Sequence, residues 1–272
     1  MFLSLLVYVF AWTFQAFTGF GAGIFIVGIL SIFYEPKSVI ISSTIVNLLG
    51  IIFMLLFLGK VTKPNFKILF PLILGSVVGI GVSAKLLIQI DKELLKALIG
   101  GFVLFLGIYD FLVQTNSLRL KLKVSRLVGI ITGFLSGLFA GLIGMGGPPP
   151  VVYLNQVCKD LNTYKVTLSV FFATNVIFRI IFYLLYGGTD YWNYELILPA
   201  FLGAPMGVLF GIQLSRYFTP HFIKRFISLS VLLLGLFLLF EGLSKFTYDF
   251  FKHGVVKDSP YRCFKSHKTP GN

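Results

Sequence analysis

The chain has 272 residues, of which 57% are hydrophobic and 12% are charged. A soluble globular domain carries about 25% charged residues, so this composition excludes an ordinary soluble fold and predicts an integral membrane protein. The 23 Lys and Arg residues outnumber the 10 Asp and Glu residues, which gives a net charge of +13. Most basic residues fall between apolar runs, so we expect them to face anionic lipid headgroups and not nucleic acid.

Eight apolar segments follow one another with no room between them for a soluble domain. Six of them have about 20 residues, the length that crosses a hydrocarbon core of ~30 Å. The first and fifth are longer and contain glycines, so we expect each to be broken rather than one straight helix. Uniformly apolar runs also favour helices over the alternating strands of a membrane barrel. The segments are 2–33, 39–58, 68–87, 94–113, 127–157, 166–186, 196–214 and 222–240.

An internal repeat appears when the two halves are aligned at an offset of 128 residues. Prolines, asparagines and glycines in a common register are difficult to obtain by chance in an apolar chain, so we interpret the repeat as a duplication. Near the start of each half the offset is 123, which aligns Gly21 with Gly144 and Gly23 with Gly146. The pairs at 128 include Lys37 with Lys165, Asn47 with Asn175, Pro71 with Pro199, Gly75 with Gly203 and Gly79 with Gly207.

The predicted fold is an all-α membrane protein of two four-segment repeats, with the first segment of each repeat broken at a glycine-rich motif. The first membrane repeat covers 1–116, and the second covers 127–243. A basic loop at 117–126 joins them. A basic tail at 244–272 follows the second repeat and is expected to be flexible, because it is polar and contains proline and glycine.

The glycine-rich motifs are candidate anion sites. A helix broken inside the membrane has unpaired N–H groups at the start of its second part, where the helix dipole also favours an anion. Glycine permits close approach, so we expect a bulky residue at Gly146 to block the site while membrane insertion continues. Close helix packing is the alternative role of such glycines. The motif residues are Gly19, Gly21 and Gly23 in the first half, and Gly144, Gly146 and Gly147 in the second.

Three polar side chains lie well inside apolar segments. Asn47 and Asn175 occupy equivalent positions, and Arg179 follows Asn175 by one helical turn. Such groups are costly in lipid, so we expect them to face the protein interior, where amide donors and a permanent cation suit anion oxygens. The alternatives are hydrogen bonds between helices for the asparagines, and a membrane-surface position or a carboxylate or carbonyl partner for Arg179.

The sequence does not favour an enzyme. No segment has Asp or Glu at its centre, and no cluster of nucleophile, base or metal ligands is evident. The 3 histidines and 2 cysteines show no metal-ligand spacing, and the chain lacks a phosphate-binding loop for a nucleotide. We therefore expect no catalytic residue, no metal and no cofactor.

The motif Gly141-Leu-Ile-Gly144-Met-Gly146-Gly147-Pro148-Pro149 and its weaker partner Gly19-Phe-Gly-Ala-Gly23 occur at the starts of the two repeats. Together with the repeat layout, they resemble the sulfite exporter TauE/SafE family of anion permeases, of the 4-toluene sulfonate uptake permease type. The resemblance covers about residues 3–243.

The resemblance implies a multi-pass transporter of the cell membrane that moves sulfite, an organosulfonate or a related small sulfur-containing anion. We expect the anion to bind near the midplane, between the two repeats. An anion-selective channel and a permease for a non-sulfur organic anion are the alternatives. The expected partners are the anion and the lipid bilayer, without nucleic acid, and a homodimer is compatible with the sequence.

The distribution of Lys and Arg favours inverted repeats. If every segment crosses the membrane once, the repeats are parallel and the loop Lys and Arg residues divide seven against nine. If the first and fifth segments each fold back, the repeats are inverted and the division is twelve against four. The positive-inside rule favours the second arrangement. The basic tail, which would then lie outside, opposes it.

Overall fold

The computed structural model describes residues 1–58, 63–114, 125–158 and 161–214, and this part of the chain forms helices and no strand. The eighth predicted segment at 222–240, the tail and most of the inter-repeat loop lie outside the described residues. The helices are α1 (Phe2–Thr18), α2 (Ala22–Phe33), α3 (Pro36–Leu58), α4 (Phe66–Gln89), α5 (Lys92–Gln114), α6 (Arg126–Ile143), α7 (Pro148–Val157), α8 (Leu161–Leu185), α9 (Tyr194–Ile197) and α10 (Ala200–Leu214), with a short 3-10 turn at Gly188–Tyr191.

Several of these helices are long and apolar enough to cross a membrane. Helix α4 illustrates their two-sided character, because it exposes Phe70, Leu74 and Val78 on one face and buries Gly75 and Gly79 on the other. Large apolar residues outside and small residues inside are typical of helices that pack together in lipid. In the described part, the candidate spans are Pro36–Phe57, Phe66–Gln89, Arg126–Ile143, Thr163–Leu185 and Tyr194–Leu214.

Helix α2 folds back alongside α1. The rings of Phe10 and Phe25 lie 5.1 Å apart, edge to face. Phe10 lies eight residues, or ~12 Å, before the end of α1, whereas Phe25 lies in the first turn of α2. A collinear continuation would separate these rings widely, so the first predicted segment is a helical hairpin.

Helices α6 and α7 form a second hairpin. The Tyr153 hydroxyl of α7 donates a hydrogen bond of 3.4 Å to the carbonyl oxygen of Ser125, the residue that caps the start of α6. The Ser125 hydroxyl in turn accepts from Val128 N at 3.1 Å, which fixes where α6 begins. Because α7 reaches back to the beginning of α6, both long segments return toward the side from which they start.

Helices α3 and α8 run antiparallel. Near the start of α3, the carbonyl oxygen of Ile40 accepts a 3.2 Å hydrogen bond from Arg179 of α8, and the Ser42 hydroxyl accepts from Asn193 N, beyond the end of α8. Beyond the other end of α3, Asn65 N donates to the Thr167 hydroxyl near the start of α8, at 3.0 Å. The start of each helix therefore lies by the end of the other.

Glycine contacts join the halves in two further helix pairs. Gly133 of α6 packs directly against the Leu72 carbonyl of α4, and Gly207 of α10 packs against the Val9 carbonyl of α1. A side chain at either glycine would meet backbone atoms of the neighbouring helix. Each hairpin is thus held against a helix of the opposite half.

The structure refines two boundaries. The seventh predicted segment, 196–214, lies within the candidate span Tyr194–Leu214, in which α9 ends at Ile197 and α10 begins at Ala200. Pro199, which has no N–H to donate, lies in this interruption. In addition, Arg126, which the sequence placed in the basic loop, is the first residue of α6.

Candidate functional site

The tips of the two hairpins, residues 19–23 and 144–147, touch each other. A methyl group placed on Gly23, at the start of α2, would lie 2.6 Å from the carbonyl oxygen of Gly144, at the end of α6. A methyl group on Gly147 would lie 3.3 Å from the ring of Phe20. Because the neighbour of Gly23 is a backbone oxygen, which cannot turn away as a flexible side chain can, only glycine fits at position 23.

The first tip depends on left-handed backbone and one buried amide. Gly19 and Gly21 have φ angles of 93° and 112°, in the region that favours glycine. The side-chain oxygen of Gln15 accepts a 2.9 Å hydrogen bond from Ala22 N, the first residue of α2. Gln15 is buried in α1, so it holds the beginning of α2 against the end of α1.

The second tip begins with a left-handed glycine at the end of α6. Gly144 has a φ of 74° and donates to Ala140 O at 3.0 Å, while Met145 N donates to Phe139 O at 3.3 Å. These two bonds satisfy carbonyl groups at the end of α6, and the bond from Gly144 N is the one that defines an αL cap. The cap explains why α6 ends at Ile143.

The second tip continues into a proline-rich helix start. The buried Ser136 hydroxyl donates a short hydrogen bond to the carbonyl oxygen of Gly146. Pro148 and Pro149 occupy the first positions of α7, where a missing N–H is tolerated and the fixed φ suits a helix. The prolines therefore start α7 without supplying N–H donors.

Backbone donors are available at both tips. Two glycines from each tip have N–H groups that make no hydrogen bond with any residue in the described ranges. This agrees with the expectation that a helix break leaves N–H groups for a ligand. The four glycines are Gly21, Gly23, Gly146 and Gly147.

A cavity lies between the tips, with an empty volume of about 530 Å³ including its open side. All eight residues predicted to bind substrate line it. The eight predicted residues are Gly21, Gly23, Asn47, Gly144, Gly146, Gly147, Asn175 and Arg179, and the other lining residues are Gln15, Phe20, Ile24, Ile51, Ala140, Met145, Phe172 and Val176.

The two asparagines face this cavity from α3 and α8. Asn175 is only 3% exposed, and neither its amide nitrogen nor its carbonyl oxygen has a hydrogen-bond partner among the described residues. Leaving a buried polar group unpaired costs about 1–3 kcal/mol. A ligand or water in the cavity would remove this cost. Asn47 is 8% exposed and lies on the same lining.

Arg179 is buried without a carboxylate partner among the residues that the structure describes. Its Nη2 donates to Ile40 O at 3.2 Å, and its Nε donates to the Tyr183 hydroxyl at 3.3 Å. Tyr183 donates in turn to Gly141 O at 2.8 Å. Of the alternatives considered for Arg179, the carbonyl partner is therefore present. These bonds orient the guanidinium, which also lies 5.6 Å from the centre of the Tyr183 ring, but no carboxylate in the described part of the chain neutralises its charge.

Gly146 packs tightly against α6. A methyl group there would lie 2.6 Å from Ser136 O and 2.7 Å from Ala140 Cβ. A bulky side chain would therefore push against α6 as well as narrow the cavity, and the expectation of blocked access with intact membrane insertion stays a prediction. Gly147 is the better position for narrowing the cavity, because its nearest neighbours are aromatic side chains.

Gln15 is the polar lining residue that the sequence-based search missed. It lies in an apolar segment, as Asn47 does, and this was the available signal. Unlike Asn47, Gln15 has no polar counterpart in the other half. At the offset of 123, Gln15 aligns with Leu138, which carries no polar group.

Comparison with known proteins identifies one family. Residues 4–238 match the family model described as Sulfite exporter TauE/SafE. The match includes both hairpins and every described residue that lines the cavity. No curated protein and no solved structure matches the chain.

Proposed function

The chain belongs to the TauE/SafE sulfite exporter family, and we propose that it moves sulfite, an organosulfonate or a related small sulfur-containing anion across the cytoplasmic membrane. The family consists of membrane transporters, and the described part of the chain contains five candidate spans that are long and apolar enough to cross a bilayer. The protein is thus a multi-pass membrane protein. Within it, we assign substrate binding to the cavity between the hairpin tips.

The observation that carries the proposal is the combination of Asn175 and Arg179 in one cavity. Asn175 has two unpartnered polar atoms, and Arg179 has a positive charge with no carboxylate beside it in the described part. Both line the cavity together with Asn47. Because Arg179 is the only charged side chain among the described lining residues, the cavity favours an anion.

We also infer that the halves are inverted repeats. Helices α3 and α8 align at the offset of 128, and their end contacts show that they run antiparallel. Duplicated helices with opposite directions imply a two-fold axis in the membrane plane. The two hairpins then enter from opposite sides, so their tips meet inside the membrane. This arrangement also gives the twelve-to-four division of basic residues that the positive-inside rule favours.

The position of Asn47 supports a site near the midplane. It is the twelfth of the 23 residues of α3, so about half of this helix lies on either side of it. A central site between inverted halves can open alternately to the two membrane surfaces. Export of one negative charge from an inside-negative cell also releases ~2.3 kcal/mol per 100 mV, so it requires no coupling ion.

Flux from proteoliposomes tests the proposal. The purified protein would be offered sulfite, sulfonates and carboxylates under imposed potential and pH gradients. We expect saturable flux of sulfur-containing anions that falls at least about tenfold in Arg179→Gln. Lys92→Gln is a matched control, because it removes a cation whose side chain is 68% exposed and pairs with Glu93. Flux without saturation would indicate a channel, equal flux of carboxylates would indicate a non-sulfur permease, and no flux would refute anion transport.

A further inference from the structure

We propose that the cavity selects its substrate by charge state and accepts monovalent anions while rejecting divalent anions of similar shape. This inference rests on the proposed function and specifies its substrate class. The accepted class comprises sulfonates and hydrogensulfite, each with one negative charge. The rejected class comprises sulfate and fully ionised sulfite, each with two.

The charges around the cavity support this selectivity. Among the described lining residues, Arg179 carries a charge and the others are neutral. The side chains of two lysines, Lys37 and Lys165, donate hydrogen bonds to backbone carbonyl oxygens outside the cavity. Lys37 Nζ donates to Ile88 O at 2.9 Å, and Lys165 Nζ donates to Phe17 O at 3.3 Å. Neither lysine lines the cavity. The described lining therefore offers one positive charge.

One cation compensates a monovalent anion far better than a divalent one. The desolvation free energy of an ion rises with the square of its charge, so it is about four times larger for a dianion than for a monoanion of equal size. The attraction to Arg179 rises only in proportion to the charge, and is about doubled. When an anion moves from bulk water to the buried walls of this cavity, the unfavourable desolvation free energy therefore grows faster than the favourable attraction.

The neutral amides add a separate preference, for hydrogensulfite over fully ionised anions, sulfonates included. Asn47 and Asn175 each present an oxygen acceptor as well as N–H donors, whereas the side-chain oxygen of Gln15 already accepts from Ala22 N. A fully ionised anion only accepts hydrogen bonds, so it leaves the buried oxygen of Asn175 without a partner. Hydrogensulfite carries one O–H group and can satisfy both the oxygen and the nitrogen of Asn175, which are unpartnered in the described structure.

A pair of similarly shaped anions tests the inference on the unmodified protein. Methanesulfonate and sulfate are both tetrahedral at sulfur, and they carry one and two negative charges. Their initial fluxes into proteoliposomes would be compared with the membrane potential clamped at zero. We expect methanesulfonate to move at least about tenfold faster, a difference of ~1.4 kcal/mol. A smaller ratio would overturn charge selection while anion transport stands. Absence of both fluxes would overturn the proposed function itself.

Sulfite provides a second test through its own ionisation. As pH rises, hydrogensulfite loses its proton and becomes the dianion. We expect sulfite flux to fall as pH is raised on both sides of the membrane, whereas methanesulfonate flux changes little over the same range. Sulfite flux that is equally independent of pH would contradict the inference.

The variant Asn175→Asp changes the charge of the cavity with little change in shape. The new carboxylate lies one turn from Arg179 and offsets its positive charge, so we expect methanesulfonate flux to fall at least about tenfold. Asn193→Asp is the matched control, because Asn193 lies outside the cavity and its Oδ1 accepts from Glu195 N at 2.9 Å, which a carboxylate also does. Unchanged flux in Asn175→Asp would overturn the inference. Gel filtration of both variants checks folding, and the anion comparison does not depend on either.

Discussion

The two hairpins bring their tips to one cavity, but different groups stabilise the two breaks. In the first hairpin, the buried amide of Gln15 accepts from the first N–H of α2. In the second, backbone bonds close the end of α6 and Ser136 donates to Gly146 O. Gln15 aligns with Leu138, and Ser136 aligns with Thr13. The recurring glycines therefore specify where the chain breaks, whereas the side chains that hold each break are particular to each half.

The hairpins also differ in what they offer an anion. Helix α2 begins with residues that have N–H groups, and that of Gly23 is unpaired among the described residues. Helix α7 begins with Pro148, Pro149 and Pro150, which have none. On the second side, the available donors come from the loop before the helix. The first hairpin therefore presents a helix start to the cavity, and the second presents a glycine loop.

The largest expected effect is on anion flux, and it comes from the one charge that the second half brings to the described cavity lining and the first half does not. Arg179 aligns with Ile51, and both line the cavity. We expect Arg179→Gln to reduce anion flux by about 10- to 100-fold, because hydrogen bonds to charged groups contribute ~1.5–3 kcal/mol. Arg179→Lys keeps the charge but loses the planar fork, so it should bind more weakly and retain some flux. Proteoliposome flux would measure both.

A stability control separates recognition from folding at this position. If Arg179 only ties α8 to Ile40, both variants should lower the melting temperature in detergent about equally, with or without substrate. A ligand stabilises the state that it binds. Undiminished stabilisation of the Gln variant by substrate would argue against charge recognition.

The next largest effect is a difference in stability between alanine variants of the glycines at the two tips. Gly23→Ala places a methyl group 2.6 Å from Gly144 O, whereas the methyl group of Gly147→Ala lies 3.3 Å from the ring of Phe20. We expect the first variant to lose ~1–3 kcal/mol of stability through overpacking, and the second to lose less, because a ring can move. Thermal unfolding in detergent would measure both. Equal losses would mean that the tips separate more easily than their backbone contact indicates.

Much of the site could be predicted from sequence because buried polar groups and recurring glycines are unusual in an apolar chain. The structure places all eight predicted residues around one cavity, and their role in binding stays a prediction. The helical fold followed from hydropathy, which reports the length of a segment and not its path, whereas the folded-back hairpins were favoured by the division of Lys and Arg between the loops. Tyr183 was also missed as a partner of Arg179, because a tyrosine near a helix end is unremarkable in such a chain.

A smaller difference in the free energy of unfolding is expected between variants of the two side chains that stabilise the helix breaks. Gln15→Ala removes the acceptor of Ala22 N and should cost about 1–3 kcal/mol, because a buried N–H loses its partner. Ser136→Ala removes a donor to Gly146 O and should cost about 1 kcal/mol, since an under-satisfied carbonyl is better tolerated. Chemical denaturation would compare them. A larger loss for Ser136→Ala would show that the second tip depends more on its side-chain bond than on its backbone cap.

The smallest effect is expected from Pro149→Ala, which tests whether the start of α7 acts on the anion. Alanine restores an N–H at this position and adds freedom to the unfolded chain, so stability should fall by ~0.4–1 kcal/mol. Pro149 does not line the cavity, and the dipole of a helix acts mainly within its first turn. We therefore expect the anion affinity, measured by titration calorimetry, to change by less than about twofold. A gain of several-fold would show that α7 presents its start to the anion as α2 does, and the two hairpins would then bind it in the same way.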